Sequence, residues 1–434
     1  MQTASKKVIR GWAMYDWANS VYNLVITTTF FPIYFTAVTK KQYGGEIVPF
    51  LGRKFINSSL YDYSLAVAYL FIALLYPVLT SIADTRGNKK AFMQFFCYMG
   101  AAGCSLLYFF NGANLWFGIL CFMMAAMGYV GSLVFYNAFL PEIAAPEDRD
   151  RVSAKGFSYG YIGSVILQII GFILVLTITS NPFLAPRITF LLVGIWWAAF
   201  AQITFSVLPE SRSTGSISPR VIAEGFSEMK KVYQEIKKLP VLKKFLRGFF
   251  FYSMGVQTVM LAATLFGSKL LQLEDTKLIV TIVIIQLVAI PGAVWMSRLS
   301  EKFGNLRVLI GIVLFWILIC LAAYYTARFK EMGGNPEIGF YLLAIAVGLV
   351  MGGIQSLSRS TYSKLMPETK DTASYFSYYD FTEKVAIVIG MFSFGLIEEI
   401  TGSMKNSVLS LIIFFVIGLG WLVDARRKQL MVDG

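Results

Sequence analysis

The sequence predicts an all-α membrane protein of twelve transmembrane helices, arranged as two pseudo-symmetric six-helix bundles. Three observations carry that prediction. Of 434 residues, 56% are hydrophobic and only 15% charged, where a soluble chain is nearer a quarter charged. Apolar runs of about 20 residues, enough to cross a bilayer core of roughly 30 Å, recur from end to end. A short motif in the first half of the chain returns in the second half at the same relative place.

The apolar runs place helices near 11–38, 60–83, 91–110, 115–140, 155–179 and 188–208 in the first half. In the second half they fall near 245–266, 277–297, 308–327, 338–361, 375–399 and 404–423. These are helices 1 to 12. Residues between them fall alternately on two sides. The side holding both termini carries 27 of the 38 Lys and Arg, and the other side carries 10. The positive-inside rule then puts both termini in the cytoplasm, within the inner membrane if the chain is bacterial. The net charge of +13 therefore reports topology and does not call for a nucleic acid partner. The basic start at Lys6, Lys7 and Arg10 resembles a signal-peptide n-region, but the apolar segment after it is too long for one, so it is expected to stay as helix 1. Cys97, Cys104, Cys121 and Cys320 all lie within predicted helices and read as apolar filler. Histidine is absent, which removes the usual metal ligand and the usual proton shuttle near neutral pH. No metal or cofactor is expected.

The repeat is IADTRGNKK, residues 82–90, against LSEKFGNLR, residues 299–307. Asp84 aligns with Glu301 and Gly87 with Gly304, an offset of half the chain. Such repeats mark transporter folds in which two bundles share a pseudo-symmetry axis. The expected organisation is a bundle at 1–208, a linker at 209–244 and a bundle at 245–434. Within the linker, Ser218-Pro219 reads as a helix start. Ile222, Phe226, Met229, Tyr233 and Ile236 then form an apolar stripe on a charged helix, suited to the membrane surface or the underside of the bundles.

IADTRGNKK resembles the loop 2–3 signature of the major facilitator superfamily, with Thr80 in place of its first Gly and Asn88 in place of a later basic residue. More narrowly, YDWANSVYN (15–23), RVSAKGFSYGYIGS (151–164) and GGIQSLSRS (352–360) resemble its vacuole-effluxer branch, whose fungal members are autophagy-linked amino-acid exporters. The resemblance implies alternating access and amino-acid efflux. It also implies a gate. Asp84 would meet the start of helix 11 near Ser374, where unpaired backbone N–H groups carry partial positive charge. By pseudo-symmetry Glu301 would face the start of helix 5 near Ser153. Gly87 and Gly304 would permit the tight turns. A plain solvated turn is the alternative.

Polar stripes mark the candidate cavity. Asp16, Asn19, Ser20 and Asn23 stand at i, i+3, i+4 and i+7 on helix 1, with Thr27 one turn further. Helix 10 repeats the spacing with Gln355, Ser358, Arg359 and Tyr362, and helix 7 carries Ser253, Gln257, Met260 and Thr264. Helix 4 offers Tyr129, Ser132, Tyr136 and Asn137. Polar groups facing lipid would be unsatisfied, so these faces are expected to look into water or protein. In the superfamily, helices 1, 4, 7 and 10 line the central cavity. Helix 11 adds Asp380, Glu383 and Lys384. Asp380 and Lys384, one turn apart, can pair directly, and Glu383, with no evident partner in its own helix, has Arg359 as one candidate. A satisfied charge cluster that only sets helix packing is the alternative. The functional reading makes Asp16, Asp380 and Glu383 the proton-relay candidates and Arg359 and Lys384 the ligands of a solute carboxylate.

The expected function is a secondary active transporter of a small solute, such as an amino acid or related amphipathic molecule, with protons as a candidate coupling ion. A passive facilitator and a non-transporting receptor on the same scaffold stand as alternatives. The partners expected are the solute, protons and the bilayer, with the chain acting as a monomer. An enzyme is disfavoured, since no nucleophile–base or metal constellation and no phosphate-binding loop is found.

Overall fold

The computed structural model describes residues 2–86, 88–209 and 221–433. The fold is helical throughout, apart from one short hairpin. The first half contains helix 1 (Lys6–Tyr43), helix 2 (Asn57–Arg86) and helix 3 (Lys89–Leu106). Helices 4 (Leu115–Ala138), 5 (Arg149–Thr177) and 6 (Leu184–Val207) complete it. A linker helix (Val221–Lys238) follows. The second half contains helix 7 (Pro240–Leu265), helix 8 (Asp275–Phe303) and helix 9 (Asn305–Glu331). Helices 10 (Glu337–Leu365), 11 (Thr372–Thr401) and 12 (Met404–Asp433) end the chain. Ten of these twelve are long and apolar enough to cross a membrane by length and composition alone. Helix 7, at 26 residues, has no charge after Arg247, while helix 11, at 30 residues, carries Asp380, Glu383 and Lys384 within its apolar run.

Local chemistry explains the boundaries. The Ser5 hydroxyl accepts from the Val8 amide to cap helix 1, and Asn114 caps helix 4 through the Phe117 amide at 3.2 Å. Pro240 opens helix 7, where its missing N–H costs nothing. Gly304, at φ 84°, ends helix 8 and starts helix 9, a conformation in which a side chain would be strained. Helix 1 has a π-helical stretch over Tyr22–Phe30, and helix 7 runs into a second, Phe266–Leu270. The repeated element at residues 82–90 is only partly visible: Gly87 lies outside the described residues, as does the Ser218-Pro219 helix start.

The strands form a hairpin between helices 1 and 2, where the sequence suggested none. β1 (Ile47–Phe50) and β2 (Arg53–Ile56) pair antiparallel, with Phe50 opposite Arg53. Leu51 and Gly52 both take positive φ, 51° and 72°, which is what a two-residue turn matched to strand twist needs.

Helices pack closely at small residues. A methyl group on Gly128 of helix 4 would strike the backbone of Gly100 on helix 3. Trp12, Trp197 and Trp316 are fully buried, while Leu74, Leu176, Leu318, Ile338 and Phe392 lie exposed on outer or cavity faces. An exposed apolar girdle of this kind fits lipid contact. Thr3 bonds Asp148 at 2.5 Å and the Ala4 amide bonds the Ile143 carbonyl, so the N-terminus sits beside the connection between helices 4 and 5. That face is the terminus side.

Candidate functional site

Three layers lead from the terminus side towards the middle of the molecule. The first is a seal between the two halves. Asp84, at the end of helix 2, accepts from the amides of Ala373 and Ser374 at 3.2 and 2.8 Å and from the Ser374 hydroxyl at 2.8 Å. A carboxylate therefore meets the unpaired N–H groups and positive dipole end of helix 11. Lys89 completes this corner, 3.7 Å from Asp84, bonded to Glu142 and to the Thr372 hydroxyl at 2.8 Å.

The matching corner is built differently from the expectation. Glu301 is exposed and has no hydrogen-bond or ion-pair partner among the described residues. Its place is taken by Asp150, at the start of helix 5, which the sequence reading passed over. Asp150 accepts from the Ser300 hydroxyl at 2.8 Å, from the Asn305 amide at 2.7 Å and from Lys364 at 2.6 Å. The adjacent Arg149 donates to the Ser363 carbonyl at 2.6 Å. The acid at this corner stands on helix 5, on the other side of the contact from Glu301.

The second layer is a hub around Arg359 of helix 10. Its Nε donates to the Ser153 hydroxyl and one Nη to the Ser153 carbonyl, both at 2.9 Å. Asp16 lies 3.3 Å from both terminal nitrogens, and Asn137 Oδ1 accepts at 3.3 Å. Tyr136 donates to the same Asp16 oxygen at 2.8 Å. The guanidinium also lies over the rings of Trp12, Tyr136 and Phe157, at 4.9, 5.4 and 4.3 Å. Arg359 and Asp16 are 3% and 4% exposed, so protein groups supply nearly all of their surroundings. A rigid planar fork reaching helices 1, 4 and 5 at once is a job for Arg and not for Lys. Gly156 leaves the room: a methyl there would collide with Asp16, Arg359 and Tyr136.

The third layer is a cavity of about 410 Å³. Nine of the ten charged and amide residues on the stripes and helix 11 line it: Asp16, Asn23, Asn137, Gln257, Gln355, Arg359, Asp380, Glu383 and Lys384. Asn19 and Tyr136 do not. Both are fully buried behind the wall, where Tyr136 orients Asp16 and Asn19 packs between helices. The Thr264 side chain lies outside the described residues. The cavity reaches away from the terminus side as far as Asp62, Tyr63 and Phe392, which line it and are exposed. Aromatic rings supply much of the remaining wall, among them Tyr69, Tyr252 and Tyr379.

Charge pairing on helix 11 departs from the helical-wheel expectation. Lys384 bonds Glu383 at 2.7 Å and not Asp380. Glu383 also accepts from Gln257 at 3.1 Å, so it is doubly held and does not reach for Arg359. Asp380 is met by Asn137 at 3.5 Å, and its other oxygen has no hydrogen-bond partner. Gln355 accepts from Tyr161 at 3.0 Å. The sequence missed Asp62, Tyr69, Asp150 and Arg149. Asp150 had a usable signal, an acid in the first turn of an apolar helix, whereas Asp62 lies in the second turn of helix 2.

Comparison with known proteins locates this architecture. Residues 4–432 match the family described as vacuole effluxer Atg22 like. An uncharacterized MFS-type transporter of Bacillus subtilis is 32% identical over 415 residues, covering 94% of this chain and 92% of that one. Autophagy-related protein 22 of Kluyveromyces lactis is 25% identical over 460 residues, covering 96% and 92%. Among solved structures, the human organic anion transporter MFSD10 superposes with a TM-score of 0.70 at 14% identity, covering 96% of this chain and 98% of that one.

Proposed function

The chain belongs to the vacuole effluxer Atg22-like family of multi-pass membrane transporters, and on that premise we propose a secondary active carrier. It moves a small solute, an amino acid or related amphipathic molecule, by alternating access, with protons as the coupling ion. The observation that carries this reading is a cavity of about 410 Å³ at the meeting of the two halves, largely apolar in its walls but lined by Asp380, Glu383 and Lys384, and sealed on the terminus side. The volume suits a small solute. The domain division is bundle 1–208, linker 209–244, bundle 245–434. The charge bias places the termini and the seal in the cytoplasm, and a bacterial chain in the inner membrane. The carrier works as a monomer, since the cavity is complete within one chain.

The roles follow from the partners. Lys384 meets a solute carboxylate, because its ammonium faces the cavity with one acidic partner while the donors of Arg359 are engaged. Arg359 with Asp16 joins the halves below the cavity. Asp380 is the proton carrier, since one carboxylate oxygen is unpartnered while Glu383 is neutralised by Lys384. Glu383 relays to it. Asp84 and Asp150 close the cytoplasmic gate.

The test is uptake into sealed proteoliposomes under a pH gradient. Driven uptake of a candidate amino acid is expected to disappear in Asp380→Asn and Glu383→Gln while counterflow exchange persists. Uptake indifferent to the gradient would leave a passive facilitator. Binding without flux would leave a receptor.

A further inference from the structure

The hairpin between helices 1 and 2 stands on the side opposite the termini and has two unlike faces. Its inner face is packed. Val48 is fully buried, the Phe50 ring lies 4.4 Å from that of Trp116 on helix 4, and the Phe55 ring lies 6.3 Å from that of Tyr63 on helix 2. Its outer face is bare. Ile47 pairs across the strands with Ile56, and Pro49 with Lys54, and all four are exposed. Leu51 at the tip is exposed too, and it holds φ at 51°. Glycine or asparagine would sit in that conformation with less strain. An apolar side chain therefore stands at the tip against the preference of the backbone.

Charge gathers at the same place. The side opposite the termini is poor in cations, yet four of its ten, Lys40, Lys41, Arg53 and Lys54, fall in this one connection. Lys40 lies 3.5 Å from Glu46, and Lys41 lies over the Phe183 ring at 5.0 Å. Arg53 and Lys54 flank the tip, are exposed, and have no hydrogen-bond or ion-pair partner among the described residues.

Trp116 sets the depth. Helix 4 has 24 residues, about 36 Å at 1.5 Å each, against a hydrocarbon core of roughly 30 Å. Trp116 is in its first turn and is exposed, the position of an interfacial tryptophan. The hairpin stacked on it lies at the level of the lipid headgroups. At that level an apolar face beside two unpaired cations is the pattern of an interfacial anchor. We propose that the hairpin is a binding site for anionic phospholipid in the leaflet opposite the termini. Ile47, Leu51 and Ile56 lie against the acyl boundary, and Arg53 and Lys54 engage the headgroup phosphates. Phe55 touches Tyr63, which lines the central cavity, so the bound lipid borders the cavity mouth.

Fluorescence quenching of the full chain in nanodiscs tests this. Ile47→Cys carries a small environment-sensitive fluorophore on the outer face and leaves Leu51 in place; the four native cysteines are buried. The quenchers are nitroxide-labelled phosphatidylglycerol, nitroxide-labelled phosphatidylcholine and aqueous iodide, with each labelled lipid a minor component of phosphatidylcholine discs. One cation beside an anionic headgroup strengthens the contact about fivefold, and two roughly 30-fold at low salt. Quenching by the phosphatidylglycerol label is expected to exceed that by the phosphatidylcholine label at least fivefold, and the excess is expected to shrink in high salt. Arg53→Gln with Lys54→Gln, both at exposed positions, is expected to bring the two lipids within twofold while quenching by phosphatidylcholine persists. Equal quenching by both lipids in the parent chain would overturn the anionic site. Quenching by iodide alone would put the face in open water, and protection from all three quenchers would mean that another protein surface covers it; either result overturns the proposal.

Discussion

Neutralising Asp84 should open the terminus side. In Asp84→Asn the side chain keeps one acceptor oxygen where the carboxylate had two, serving three donors at 2.8 to 3.2 Å. Hydrogen bonds to a charged group contribute about 1.5–3 kcal/mol each, and the attraction to a partly buried helix terminus reaches about 2 kcal/mol. Asparagine retains one bond and part of a second, so the sealed state loses about 2–4 kcal/mol. Lys89 does not become a stranded charge, because Glu142 and Thr372 still hold it. Asp84 makes these contacts only while helices 2 and 11 meet, so the whole loss falls on one side of the equilibrium. At 1.4 kcal/mol per tenfold, the open fraction rises by about 30- to 700-fold until opening saturates. A reporter is available one turn into helix 11: Ser377 is 1% exposed, bonds only within its own helix, and becomes reachable when the seal parts. The labelling rate of Ser377→Cys by an impermeant thiol reagent, applied from the terminus side, measures the opening. All four native cysteines are buried and give a low background. A rate in the Asp84→Asn background within a factor of two of its parent would refute the reasoning.

Asp16→Ala and Arg359→Ala should each destabilise the protein by about 3–5 kcal/mol, because each strands a buried charge, and the double substitution should cost less than their sum; a thermodynamic cycle of unfolding with coupling near zero would contradict the hub. Gly156→Ala should lower stability by about 1–3 kcal/mol through overpacking against Asp16 and Arg359, read as a lower melting temperature with normal membrane insertion. Tyr375→Phe removes a 2.5 Å hydrogen bond to Glu235 of the linker helix, and should raise labelling at Ser377→Cys by about 10- to 150-fold, in line with ~1.5–3 kcal/mol for a bond to a charged acceptor.

Much of the fold and part of the site was legible because lipid is an unforgiving solvent. Every helix must be a long apolar run, so counting runs gave the crossings. A polar group inside such a run must face protein or water, so the stripes on helices 1, 7 and 10 pointed to the cavity they line. Helical spacing gives a face but not a rotamer. That is why Asp380 and Lys384 were paired on paper while Lys384 turns instead to Glu383, which Gln257 also holds. It is also why Asn19 and Tyr136, on the right stripes, sit one layer behind the wall. Glu301 misled because a sequence repeat aligns residue types without showing which side of a helix contact carries the charge. Asp150 does the work from the opposite helix. The hairpin at 47–56 escaped because its turn is Leu51-Gly52, and leucine seldom adopts positive φ.

The linker helix joins more than sequence. Gly225 lies so close to Pro77 and Val78 of helix 2 that a methyl there would strike their backbone. On its other flank Tyr233 stacks on Tyr378 at 6.3 Å and Glu235 takes the Tyr375 hydroxyl, both on helix 11. A connector is usually pictured as slack rope between two rocking shells. This one is buckled to both shells on the terminus side, so a parting of the halves there would have to unfasten one buckle. Under the proposed carrier cycle, the cost of that unfastening is written into the covalent chain, whatever the solute.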